Sequence, residues 1–386
     1  MNSLQASRFY RSPLLILTIL ALFLTAASPD DRQSPECTDI QTVTDVDPLG
    51  VVTFPTGTMF ADTEVGGLSG IAYDASRDVY YAMSDDRSNA RFYTVTIDLS
   101  DSSLDDGDVA FQDVTFITGP GGSTFADGSL DPEDIDLPRP GFLYISSEGD
   151  VDASPPIDPF VNRFNLNGKQ THELPIPTKF LPNPAGTRGV RDNLAFESLT
   201  STPNRRFLYT AAENALVQDG PIASLTESSP ARVLEFALPS KQARAEYVYI
   251  VNPIPQAPVP ADEFADNGLV DLQTLDNCGT FLAMERSFAV GVGNTVVLFE
   301  TTTRGATDVS GRRALNQSYD PMPKEFVADL EQDLGIVPDN VEGMIFGPVL
   351  PDGRITLILV SDNNFNPDQT TQFIALAVEL SPASEE

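Results

Sequence analysis

Five segments of this chain repeat one design, and that repeat limits the available folds more than any other feature. They read "GLSGIAY" from Gly67, "DPEDIDL" from Asp131, "AFESLTS" from Ala195, "LVDLQTL" from Leu269 and "NVEGMIF" from Asn340. A polar residue recurs in each: Ser69, Glu133, Glu197, Asp271 and Glu342, at intervals of 64, 64, 74 and 71 residues. A second apolar run follows each segment and ends in an acid: Asp85, Glu148, Glu213, Glu285 and Asp362. A third run follows in turn, as in "RFYTVTI", "ARVLEFAL" and "NTVVLFE". The runs are short, rich in Val, Ile, Phe and Tyr, and separated by turn residues such as Pro351-Asp352-Gly353. Units of three or four strands at this period predict an all-β fold, a β-propeller with five recognisable blades.

Residues 42–55, "TVTDVDPLGVVTFP", have no unit of their own and are expected to supply the outer strand of the last blade, closing the ring. The long stretches 247–268 and 301–335 leave room for a sixth, diverged blade. Helical periodicity is scarce, and "PKEFVADLEQDLG", residues 323–335, is the one helix candidate.

In a blade the first strand lines the central channel, and it forms a hairpin with the second. The start of the first and the end of the second therefore meet at one face. Both rows of acids are expected to ring one mouth of the channel, with Ser69 the exception. Like charges so placed raise each other's pKa unless cations, arginines or protons offset them. Oxygen-only ligands suit a hard cation such as calcium. For any single acid, capping of backbone amides at a tight turn is the alternative.

The formal charge is 23 − 56 = −33. Binding to nucleic acid or an anionic membrane through a basic field is excluded, whereas cations are attracted. Arg8 and Arg11 precede an apolar run, "LLILTILALFL", at residues 14–24, followed by the small residues "TAA". The run is too short to span a bilayer and has the form of a signal-peptide core. The expected organisation is a signal peptide (1–27), an N-terminal arm (28–41), a single propeller domain (42–381) and a tail (382–386), in a secreted or periplasmic protein. Cys37 and Cys278 both lie in the mature part, where export favours a single disulfide. Two free buried thiols are the alternative.

His172 is the only histidine, which excludes multi-histidine zinc sites and paired-histidine phosphatase chemistry. The chain carries no phosphate-binding P-loop and no dinucleotide fingerprint. "DNNFNPDQ", residues 362–369, alternates Asp362, Asn364, Asn366 and Asp368 like half a calcium loop, but has Pro367 where an EF-hand needs glycine. Arg188 and Arg191 precede Glu197, and Arg286 follows Glu285. They are placed either to hold a substrate phosphate or carboxylate or to pair with neighbouring acids.

At these residues the sequence resembles the phytase-like family, described as having esterase-like activity of phytase. The resemblance rests on "GGLSGIAYD", "YYAMSDDRS", "PEDIDL", "FLYISSEGD", "RDNLAFESLT", "RFLYTAAENAL", "LAMERSF" and "DNVEGMIFGPVLPDGRITLILVSDNNFNPDQTTQF", in order from about Gly66 to Leu380. It implies a secreted or periplasmic propeller that hydrolyses phosphoesters or related esters of small molecules. Bound calcium is the cofactor expected. The residues expected to hold it are Glu133, Glu148, Glu197, Glu213, Glu342 and Asp362. Glu197 and Glu342 are the catalytic candidates, and Arg191 and Arg286 the substrate-binding ones. The rival reading is a non-catalytic propeller that binds calcium and a ligand or protein partner.

Overall fold

The computed structural model describes Cys37 and residues 39–383. The expected signal peptide and most of the N-terminal arm lie outside the described residues. Strands with apolar side chains on both faces must be covered on both faces, and this chain achieves it by packing sheet against sheet around an axis. Blade 1 consists of Leu68–Asp74, Val79–Ser84, Arg91–Ile97 and Val109–Phe116. Blade 2 is Pro132–Arg139, Phe142–Ser147, Phe160–Asn165 and Gln170–Glu173. Blade 3 is Phe196–Ser201, Phe207–Ala212, Ser229–Ala237 and Gln242–Val251. Blade 4 is Ala265–Thr274, Thr280–Ala289, Gly293–Thr302 and Lys324–Asp329. Blade 5 is Asn340–Val349, Ile355–Asp362, Thr370–Pro382 and, from the other end of the chain, Gln41–Pro55.

Each inner strand touches the next around the ring, and that of blade 5 returns to blade 1. Five blades close the circle, and the stretches considered for a sixth are the outer strands and connections of blades 3 and 4. Gln41–Pro55 pairs antiparallel with Thr370–Pro382, as the sequence suggests, so the last sheet has no open inner edge.

The core is five interblade layers, each drawn from two neighbours. Alternation assigns the side chains. Tyr80 faces blade 5 and Tyr81 faces blade 2, while Ile358 and Val360 face blade 1 and Leu357 and Leu359 face blade 4. The stretch read as a helix is instead the edge strand Lys324–Asp329 and a turn. Pairing with Gly293–Thr302 supplies ladder hydrogen bonds, and Leu330 and Ile336 enter the layer between blades 4 and 5. A short helix with no face to bury gains less. Both cysteines, Cys37 and Cys278, are disulfide-bonded.

The closure between blades 5 and 1 is the testable element. Phe373 is fully buried and meets Phe54 and Phe111 edge-on at 6.1 and 6.0 Å. Phe373→Ala is expected to cost about 3–5 kcal/mol in urea unfolding. A chain lacking residues 1–55 exposes the edge of Thr370–Pro382 and is expected to lose cooperative unfolding. Unchanged melting of that truncated chain would show that closure contributes nothing.

Candidate metal-binding mouth

Every inner strand carries a register shift at the same level, at Leu68/Gly70, Pro132/Ile135, Phe196/Ser198, Leu269/Asp271 and Val341/Gly343. A β-bulge re-aims the extra residue, and these shifts turn Ser69, Glu133, Glu197 and Glu342 at the strand start. The recurring polar residue in the sequence is the bulge residue. In blade 4 that residue is Val270, which packs in the layer against blade 5. Asp271 sits one position further along the strand than the sequence alignment implies.

The second row is offset in the same blade. Asp85 and Glu148 pair through their amides with the carbonyls of Gly67 and Asp131, and Glu213 with that of Ala195. The positions matching these in blades 4 and 5 are Arg286, opposite Gly268, and Asp362, opposite Asn340. The row is therefore Asp85, Glu148, Glu213, Arg286 and Asp362. Glu285 points to the other side of its sheet, where it accepts from Tyr249 Oη at 2.8 Å, Asn267 Nδ2 at 3.1 Å and Lys324 Nζ at 2.6 Å.

The structure thus brings Glu133, Glu148, Glu197, Glu213, Glu342 and Asp362 together, joined by Asp85 and Asp131. Within this group, one carboxylate oxygen each from buried Asp131, Glu133 and Glu148 lie within 4.8 Å of one another. Asp131 escaped the sequence reading, although it stands two residues before Glu133 in "DPED". Two glycines permit the crowding. A side chain at Gly67, which has φ +63°, would strike Asp85 Oδ1, and one at Gly268 would strike Glu213.

Arg286 lies at the blade 4–5 side of the mouth and donates to Asp266 and Glu342, each at 3.1 Å, with Glu213 at 4.0 Å. Its buried Nε has no hydrogen-bond partner, and neither has Glu213 Oε1. Arg87 forms a two-pronged pair with Asp131, which the sequence reading also missed. Arg191 is held elsewhere: its Nε donates to Ala215 O at 2.9 Å and its terminal nitrogen to Gly220 O at 2.8 Å. The 362–369 stretch is a series of turns in which Asp362 Oδ1 accepts from Asn364 N at 2.6 Å and Asn366 Oδ1 from Asp368 N at 3.1 Å.

Below the mouth the axis is filled. Asp134 accepts from Ile135 N and from Leu199 N of blade 3, and Asp271 from Leu272 N and from Met344 N of blade 5. The two carboxyls are neighbours, and burial pushes both well above the usual carboxylate range. Ser69 Oγ donates to Glu133 O at 2.6 Å, a further tie between blades. The mouth is a cup closed at this depth.

Burial is the largest cause raising the mouth acids, and their mutual repulsion adds to it. Glu133 and Glu197 are pushed well up by burial and then by neighbouring carboxylates. Burial raises Asp85 well above 3.8, with Asp362 and Glu342 adding. Burial raises Asp362 to about 8, Glu148 to about 7 and Asp131 to about 6. Arg286 pulls against burial at Glu213 and Glu342, which remain raised.

The sign follows from linkage. In the metal-free folded protein these acids hold protons that the unfolded chain releases near pH 4, so their contribution to stability is fully present below that pH and is lost as pH rises toward 8. Glu148 alone, moved from 4.5 to about 7, accounts for about 3 kcal/mol of that fall. Thermal melting in chelator is expected to drop steadily from pH 5 to 8. Added divalent cation should restore more stability at pH 8 than at pH 5. A flat profile in chelator would contradict the burial of these acids.

The phytase-like family model, "Esterase-like activity of phytase", matches residues 63–365. No curated protein matches the sequence. Similar solved structures include an endo-arabinase from Bacteroides thetaiotaomicron, at 11% identity and a TM-score of 0.41, covering 86% of this chain and 98% of that one. A luciferin-regenerating enzyme is similar at 9% identity and a TM-score of 0.35, covering 86% and 96%. The Dos1 propeller is similar at 7% identity and a TM-score of 0.33, covering 80% and 67%. With five blades closed through the N-terminal strand and a family match across most of its length, the chain belongs to the phytase-like family.

Proposed function

We propose that this protein is an exported, calcium-dependent hydrolase of phosphoesters or related small-molecule esters, acting at the acidic mouth. The observation that carries the reading is the buried Asp131, Glu133 and Glu148 group, with its ligand oxygens within 4.8 Å. Two oxygens held at 2.3–2.6 Å from one calcium ion lie no more than about 5 Å apart, so the group fits that ion. The donor set is all oxygen, and the unpartnered Glu213 Oε1 leaves a further acceptor in the same cup. A disulfide and the absence, among the described residues, of a helix able to cross a membrane agree with an oxidising, extracytoplasmic setting.

A divalent cation bound there would polarise an ester oxygen and acidify a coordinated water. The remaining work falls to the side chains. Glu197 lies beside Glu148, and burial and neighbouring carboxylates raise it well above the usual carboxylate range, which suits it to deliver a proton to a leaving oxygen. Glu342 is fixed by Asn340 Nδ2 at 2.8 Å and by Arg286, which keeps it the more readily ionised of the two and suited to accept a proton. Arg286 places its positive charge beside Glu342 and Glu213, where it can offset negative charge developing on a substrate oxygen.

One observation favours a binding module instead. Arg87 and Arg286 are both engaged by carboxylates, which leaves little positive charge to receive a substrate anion.

Hydrolysis of an aryl phosphate and an aryl acetate, with calcium and after chelation, separates the readings. Calcium-dependent release that falls at least about 100-fold in Glu197→Gln, with cation affinity nearly retained, supports the hydrolase. Calcium binding without turnover of either ester supports the module. Glu133→Gln is expected to weaken cation affinity roughly tenfold or more by calorimetry, with the fold intact by circular dichroism. Unchanged affinity would remove Glu133 from the site.

A further inference from the structure

On the other face of the ring, acids (Asp78, Asp98 and Asp108) line a cavity between blades 1 and 5, and cations line another. Between blades 2 and 3, at the ends of the strands remote from the mouth, lies a cavity of about 380 Å³. Arg139, Arg163 and Lys241 line it together with Phe142, Tyr144 and Leu238, and no acid is among its lining residues. Glu133 and Arg139 bound the inner strand of blade 2 at opposite ends, roughly 20 Å apart at strand rise.

Two facts set this pocket apart from ordinary surface charge. Of the 20 lysines and arginines among the described residues, nine pair with a carboxylate, so an unpaired cation is common here, and the feature that counts is three of them around one cavity with no acid in its lining. Arg87, Arg91, Arg232, Arg244, Arg286 and Arg354 are among the nine. Among the described residues Arg139, Arg163 and Lys241 form no ion pair, although they share one concavity. Secondly, Arg163 is held in place. Its Nε donates to Thr171 Oγ1 at 3.0 Å and its guanidinium lies over the Phe142 ring, 4.6 Å from the centroid. That fixes a planar donor against an aromatic wall and leaves its other N–H groups for a ligand. Asp136 and Glu173, which act on Tyr144 and His172, do not line the cavity.

We propose that this pocket is a second ligand site, distinct from the acidic mouth, that binds a small organic anion: a phosphate monoester or carboxylate carrying an aromatic or other apolar group. The cations hold the anionic head, with Arg163 placed for two-pronged contact, and Phe142, Tyr144 and Leu238 cover the apolar part. The protein's overall negative charge repels anions at long range. Affinity therefore arises from local contact, and it rises with added salt up to the point where ions compete at the pocket itself.

The test is calorimetry of the purified chain with phenyl phosphate, benzoate, inorganic phosphate and benzamidinium, in chelator so that no cation bridges an anion to the mouth. Phenyl phosphate or benzoate is expected to bind at millimolar or lower concentration, phosphate more weakly, and benzamidinium not at this site. Which of the two aromatic anions binds more tightly identifies the head group. Arg163→Gln should weaken binding at least about tenfold, and Glu133→Gln should leave it unchanged. Lys241→Gly gives a variant that folds, because Lys241 holds φ at 55°, a conformation glycine adopts freely; it too should weaken binding. No binding of either aromatic anion, binding unaffected by both pocket variants, or binding lost in Glu133→Gln would overturn the proposal. None of these outcomes depends on whether the mouth hydrolyses esters.

Discussion

A sheet packed on both faces has no solvent side, and this constraint governs the whole molecule. Tyr80 and Tyr81, or Leu357 and Ile358, go to opposite interblade layers, and both must be apolar or satisfied. Polar chemistry is pushed to the strand ends and to the axis. The ends then differ: bulged carboxylates gather at one, while at the other Arg139, Arg163 and Lys241 surround one cavity and Asp78, Asp98 and Asp108 line another.

At the acidic end, crowding is sustained by several devices. Arg286 occupies the blade 4 position where the other blades carry Asp or Glu, so one cation stands within the second row. Arg87 neutralises Asp131 from blade 1. Protons held by raised carboxyls remove further charge, as in the Asp134–Asp271 pair on the axis. Gly67 and Gly268 give the carboxylates room by lacking a side chain. These features produce an electrostatic reservoir that a hard cation can fill by displacing protons, which couples cation binding to pH.

The interblade ties adjoin the site in the same strands. Asp134 reaches the bulge of blade 3, Asp271 that of blade 5, and Ser69 the backbone of Glu133. The bulges that aim the acids are thereby pinned by neighbours rather than left to loop flexibility. A site on rigid strand ends keeps its geometry in the absence of ligand.

Periodicity and composition by themselves determined a propeller with five recognisable blades, the closing role of residues 42–55 and a row of acids at one end of the strands. These rest on local pattern: apolar runs of strand length, turn residues between them and an acid at a constant offset. Only the closed ring excluded a sixth blade. Tertiary structure alone decided which residue of blade 4 faces the axis. Side chains alternate with period two, so a slip of one position puts Val270 at the bulge, seats Asp271 lower on the axis, and brings Arg286 into the second row in place of Glu285. It also decided that residues 324–329 form an edge strand, because the partner Gly293–Thr302 supplies hydrogen bonds that no local propensity encodes. Asp131, Arg87 and the basic pocket between blades 2 and 3 were equally out of reach, since their partners lie in other strands or blades and only closure of the ring brings them together.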